Sequence, residues 1–199
     1  MGVQLDPELL WDAHVGSVTA RLAKSLFVMR SLLGSVSLNT LRTAYFSLFH
    51  STMAYAILAW GHAAQSKRVF GLQRRAIRLM CGLGYRDDCR DGFASLGILT
   101  FPSVYILECL LYLKKNEQQY KSNGDVHFYH TRYRDDLVTG YCRLRRCQDG
   151  PRSLAIKFFN RLPNNVRSLP LKRFKTRVRE FLIENSFYSF DEYFNCEFF

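Results

Sequence analysis

Apolar residues recur at helical spacing along most of this chain. Val15, Val18, Leu22, Leu26, Met29 and Leu33 repeat every three or four positions. That stripe predicts a helix over residues 11–33, with Arg21, Lys24 and Arg30 off the stripe and Gly34 as its stop. A second helix is expected from Asn39 or Thr40, either of them a good N-cap. Its stripe includes Leu41, Tyr45, Leu48, Phe49 and Met53, and it continues or kinks before Trp60-Gly61. A third is expected over about residues 66–81. At about 100° per residue, Lys67, Arg68, Arg74, Arg75 and Arg78 fall within an arc of roughly 120°. Val69, Phe70, Leu72, Ala76, Ile77, Leu79 and Met80 fill the opposite side. Three such stripes can bury one another as a small bundle.

Beyond a Gly-rich loop, residues 88–96 suit a short helix, and Pro102 suits the first turn of another that reaches Lys115. Val104, Leu107, Leu110 and Leu111 give that helix a dry face. Residues 116–138 are polar, contain Asn123-Gly124, and read as a long loop or linker. Residues 141–146 suit a short strand, and residues 152–160 and 169–184 suit helices. In the last of these, Leu171, Phe174, Val178, Phe181 and Leu182 face inward, while Lys172, Arg173, Lys175, Arg177 and Arg179 stay wet. The expected fold is mainly α: a helical bundle over 11–115, a linker over 116–140, and a smaller basic helical region over 141–199 with one short β element.

Charge sharpens this picture because it is localised. From Arg143 to Arg179 there are twelve Lys or Arg and one acid, Asp149, and that stretch alone equals the whole-chain net charge of +11. After Arg179 the chain has no Lys or Arg; it carries Glu180, Glu184, Asp191, Glu192 and Glu197 among eight aromatics. A local positive excess is the footprint of a polyanion binder. Five cations on one face of the third helix, with no acid among them, suit a phosphate backbone. Lys172, Arg173, Lys175, Arg177 and Arg179 form a second candidate patch.

Other chemistry is sparse. His127 and His130 precede Cys142 and Cys147, but their spacing fits no common zinc pattern well. No Ser-His-Asp set or phosphate-binding Gly loop stands out, so no catalytic residue, metal or cofactor is expected. Tyr45 and Trp60 sit at helical spacing, which favours the core over base stacking, and His14 and His50 read as structural. No apolar run approaches the roughly 18 residues of a membrane span, and the first residues lack the layout of a secretory signal. An intracellular protein off the membrane is the expectation, with nucleus or cytoplasm open.

Several motifs, in order, resemble the thumb and post-thumb region of reverse transcriptases from jockey-like non-LTR retrotransposons. Gly2-Val3-Gln4-Leu5-Asp6, followed by Trp11 and His14, is similar to that family's LGVxLD segment, where the palm ends in the primer grip. Residues 41–61 and 69–83 resemble its thumb. Gly82 to Asp87, then Leu96-Gly97-Ile98-Leu99 with Pro102, resemble the stretch that follows, and Phe159-Asn160-Arg161-Leu162-Pro163 resembles an FNxLP-like element near its C-terminus. The similarity covers nearly the whole chain. It implies that residues 1–10 are a palm remnant and that the helices lie along the minor groove of a template–primer. An A-like RNA–DNA hybrid presents backbone and 2′-hydroxyls there.

The family's catalytic carboxylates, which converge on two metal ions, lie upstream of the segment that begins here at residue 2. Tyr85-Arg86-Asp87-Asp88 and Tyr133-Arg134-Asp135-Asp136 spell the Y-x-D-D signature, but neither has strand alternation on both sides, and both follow the primer-grip-like segment. Helix capping or a solvated loop suits them better. The expectation is a non-catalytic polymerase fragment that binds an RNA–DNA hybrid, RNA or DNA without sequence preference and can associate with an intact element polymerase. Two alternatives stay open. One is a helical protein-interaction module whose aromatic acidic tail docks elsewhere or folds back over the basic segment. The other is a decayed element with no function.

Overall fold

The computed structural model describes residues 2–126, 132–144, 148 and 150–198. Helix α1 spans Asp12–Leu32 and buries Val15, Val18, Leu22, Leu26 and Met29 along one stripe. Its entry is built by the first motif. The Asp6 carboxylate accepts the Leu10 and Trp11 N–H groups, both at 2.6 Å. The Gln4 N–H donates to His14 Nδ1 at 3.3 Å, and the His14 ring lies edge-on between Trp11 and Trp60.

Helix α2 covers Leu38–Ala44, and its cap lies two to three residues earlier than the pattern suggested. Ser37 is the cap, its hydroxyl accepting from the Thr40 N–H at 3.2 Å. The chain then passes through a π turn, Tyr45–His50, into α3, Ser51–Ala54. Tyr45 and Phe49, four residues apart, lie on the same buried side, where their rings stack at 5.4 Å. A left-handed Ala56 makes the kink before α4, Ile57–Trp60.

Helix α5 spans Lys67–Cys81 and packs its dry face on α1. Gly82, at φ 65°, ends it, and the Leu83 N–H returns to the Arg78 carbonyl at 2.9 Å. After α6, Arg90–Ser95, comes α7, Phe101–Lys115, capped by Thr100. Helix α7 is apolar nearly all round, and the fold uses it as a central post. The elements packed on it include α4, α5, α9 (Pro151–Arg161) and α11 (Leu171–Asn185). The buried side chains form one contiguous core from Trp11 to Tyr193.

The expected loop over 116–138 holds more order than its polarity implied. It contains a 3-10 turn at Glu117–Gln119, the single turn α8 at Asn123–Val126, and an antiparallel bridge between Ser122 and Leu137. That bridge is the sole β pairing among the described residues. The strand expected at 141–146 does not form over residues 141–144, and Arg145 and Arg146 lie outside the described residues. Two further short helices were not foreseen: α10, Asn164–Arg167, and α12, Phe190–Asn195, inside the acidic tail. The Ser189 hydroxyl caps α12 by accepting the Glu192 N–H. The molecule is mainly α.

Candidate nucleic-acid interface

The basic arc of α5 divides into two kinds of side chain. Lys67, Arg68 and Arg75 are exposed. Arg75 lies 5.6 Å from the exposed Tyr85 ring and donates to its hydroxyl at 3.3 Å. Arg74 and Arg78 are half-buried and engaged with the protein itself. Arg78 Nε donates to the Asp87 carbonyl at 2.7 Å. The Arg74 guanidinium sits 5.1 Å from the Phe70 ring and 5.9 Å from the Tyr188 ring, and its Nε is buried without a hydrogen-bond partner. The pattern gave all five cations one role; burial splits them.

Tyr188 accounts for the engagement of Arg74. The acidic tail folds back on the body and lays this ring between Arg74 and Arg90, the latter 4.3 Å from it. Tyr188 Oη donates to the Asp88 carboxylate at 3.1 Å. Glu192 forks both Arg90 nitrogens at 3.1 and 3.2 Å and accepts the Tyr188 N–H at 2.9 Å. Burial pushes the Glu192 carboxyl up, but its bonds from Arg90 and the Tyr188 N–H prevail and leave it below its ordinary value. Burial likewise pushes Asp88 up, but its bonds from the Tyr188 hydroxyl and the Arg90 and Cys89 N–H groups prevail and hold it low. Burial, with Cys89 and Asp88 beside it, raises the Tyr188 phenol. Tail and body are joined by a network of mutually oriented charges rather than by aromatic packing alone.

The second patch lies on α11. Lys172, Arg173, Lys175 and Arg177 are exposed along its N-terminal half, where a shallow groove of about 710 Å³ runs beside Asn165 and Thr176. Arg177 and Glu180 approach to 4.0 Å. Arg179 turns inward, with Nη2 3.5 Å from the Gly97 carbonyl. Arg42 Nε donates at 2.8 Å to the neighbouring Leu96 carbonyl. His50 lies near Arg179; burial first, then that cation, lowers its pKa.

The remaining motifs resolve into structural parts. In the first Y-x-D-D run, Asp87 accepts the Gly84 N–H at 2.7 Å, and Asp88 accepts the Cys89 and Arg90 N–H groups where α6 begins. In the second, Asp136 binds Arg167 at 2.8 Å and Asp135 lies 3.4 Å from the Asn164 amide. The FNxLP-like element works as a clasp. Asn160 accepts the Leu137 N–H and donates to the Leu137 carbonyl, both at 2.9 Å. Arg167 holds the Leu162 carbonyl at 2.6 Å, while Phe159 and Leu162 are buried. This clasp fastens the segment after α8 to α9.

Pattern reading missed Gln73, which lies fully buried on the dry side of α5. Its amide donates to Tyr45 Oη at 2.8 Å and the Leu99 carbonyl at 2.9 Å, and accepts the Phe101 N–H at 2.7 Å. Its signal was a lone amide flanked by Val69, Phe70, Ala76 and Ile77. Tyr45 and Trp60 are core. Among the described residues no three His, Cys, Asp or Glu side chains gather as a metal-binding group. Of the four residues considered for zinc, His127, His130 and Cys147 lie outside the described residues. Among the described residues no helix is long and apolar enough to cross a membrane. No protein-family model, curated protein or solved structure matches the chain.

Proposed function

We propose that this chain is the thumb and post-thumb region of a jockey-like non-LTR reverse transcriptase, and that it grips an RNA–DNA hybrid, RNA or DNA through phosphate contacts without sequence preference. One observation carries the reading. Helix α5 is packed on α1 by its apolar side and offers exposed Lys67, Arg68 and Arg75 on the other. A rigid row of cations on a short helix suits phosphates along a groove. The exposed cations of α11 add a second contact area. Exposed Leu5, Leu9, Leu10, Phe27, Val28, Leu33 and Leu38 suit apolar surface that another part of an element polymerase covers. The same residues also favour the decayed-element reading, in which that surface has no partner.

The test changes Lys67, Arg68 and Arg75 to Ala together and follows hybrid binding against salt. Each lost phosphate contact reduces the log–log salt slope by about 1. The expected result is weaker binding and a slope flatter by about 3. An unchanged slope would remove α5 from the interface and assign the contacts to Lys172, Arg173, Lys175 and Arg177.

A further inference from the structure

An apolar concavity lies away from both basic faces. It is a cleft of about 460 Å³ between α4, α7 and α9, with Leu58, Ala59, Cys109 and Ala155 as its floor. Its volume falls within the roughly 300–1,000 Å³ of small-molecule sites. Tyr112, on α7, and Tyr120, just past the 3-10 turn, form the walls. Arg152, in the first turn of α9, closes one side with its guanidinium 5.5 Å from the Tyr120 ring. Tyr112 is half exposed and Arg152 is exposed, so neither is required to fill the core.

An apolar floor, two phenol rings and one cation make a distinctive set. A hydrocarbon ligand would use the floor and leave the arginine unmatched. A free phosphate would use the arginine and leave the rings unmatched. A planar ring joined to a phosphate satisfies all three, because aromatic faces stack on bases of any identity and an arginine pairs with the phosphate oxygens. We propose that this cleft binds one nucleotide unit of a single-stranded nucleic acid, its base against Tyr112 and Tyr120 and its phosphate on Arg152. The proposal rests on the nucleic-acid reading above but concerns a different surface and a different strand state. It places unpaired strand at α4, α7 and α9 and paired strand at α5.

The test uses the full chain and a short oligodeoxynucleotide carrying a central 2-aminopurine, whose fluorescence falls when the base stacks on an aromatic ring. The wild-type chain should quench it. Tyr112→Leu and Arg152→Gln should each weaken that binding roughly tenfold or more, while hybrid binding and thermal midpoint stay put. Ala59→Leu, which fills the floor and leaves the walls intact, should cause a similar loss. Quenching that survives all three changes overturns the proposal. So does quenching abolished only by the Lys67, Arg68 and Arg75 triple change. Absent quenching with intact hybrid binding overturns the cleft and spares the hybrid reading, whereas absence of both overturns the two together.

Discussion

Gln73 is fully buried, and its amide engages Tyr45, Leu99 and Phe101. Those three groups come from the π turn, the strandless segment before α7, and α7 itself, so one side chain fixes α5 against two neighbours. Gln73→Leu keeps most of the volume but strands the Phe101 N–H and the Leu99 carbonyl. The cost should be about 3 kcal/mol, read from urea denaturation; a loss below about 0.5 kcal/mol would contradict this role. His14 and His50 make a second prediction at this scale. Burial lowers both pKa values, with Arg21 acting on His14 and Arg179 on His50. The folded state therefore favours neutral imidazole, and the unfolded chain binds more protons below about pH 6.5. Stability should be flat above about pH 7 and fall as pH drops from 7 to 5, above the range where Asp88 and Glu192 titrate. An unchanged urea midpoint between pH 7.5 and 5 would refute it.

At the level of elements, α1 and α5 were legible because each repeats its apolar residues at one period, while Gly34 marked the end of α1 and Pro102 the first turn of α7. What stayed hidden depends on contacts distant in sequence. The π turn at Tyr45–His50 widens a helix whose local pattern is ordinary, and only packing shows it. Helix α12 forms in an acidic, aromatic stretch where charge drew attention away from the Ser189 cap. Gly61 shows how tightly α4 meets α7: a Cβ there would overlap the Tyr105 ring and crowd the Ile57 carbonyl. Gly61→Ala should destabilise the fold by about 1–3 kcal/mol, visible as a lower denaturation midpoint at unchanged slope. An unaltered midpoint would mean that the two helices part easily.

For the whole molecule, the net charge of +11 pointed to a polyanion but could not say which cations face it. Five arc positions on α5 looked equivalent in the pattern. The fold-back of a tail more than 100 residues away takes Arg74 into a ring stack, and a turn takes Arg78. Sequence periodicity reports which face is wet and says nothing about such distant partners. Releasing Arg74 should therefore have a measurable effect. Tyr188→Leu with Glu192→Gln removes the ring and the fork on Arg90, and hybrid affinity should rise by a few-fold at low salt. An unaltered affinity would mean that the tail does not compete with the basic face.

Fluorescence anisotropy of the full chain with a labelled RNA–DNA hybrid, titrated across salt, bears most directly on the central claim. Binding should weaken linearly on log–log axes, with a slope of at least about −3 for the three exposed cations of α5, and should be equal for hybrids of unrelated sequence. No binding at low salt, or binding whose strength ignores salt, would contradict the account.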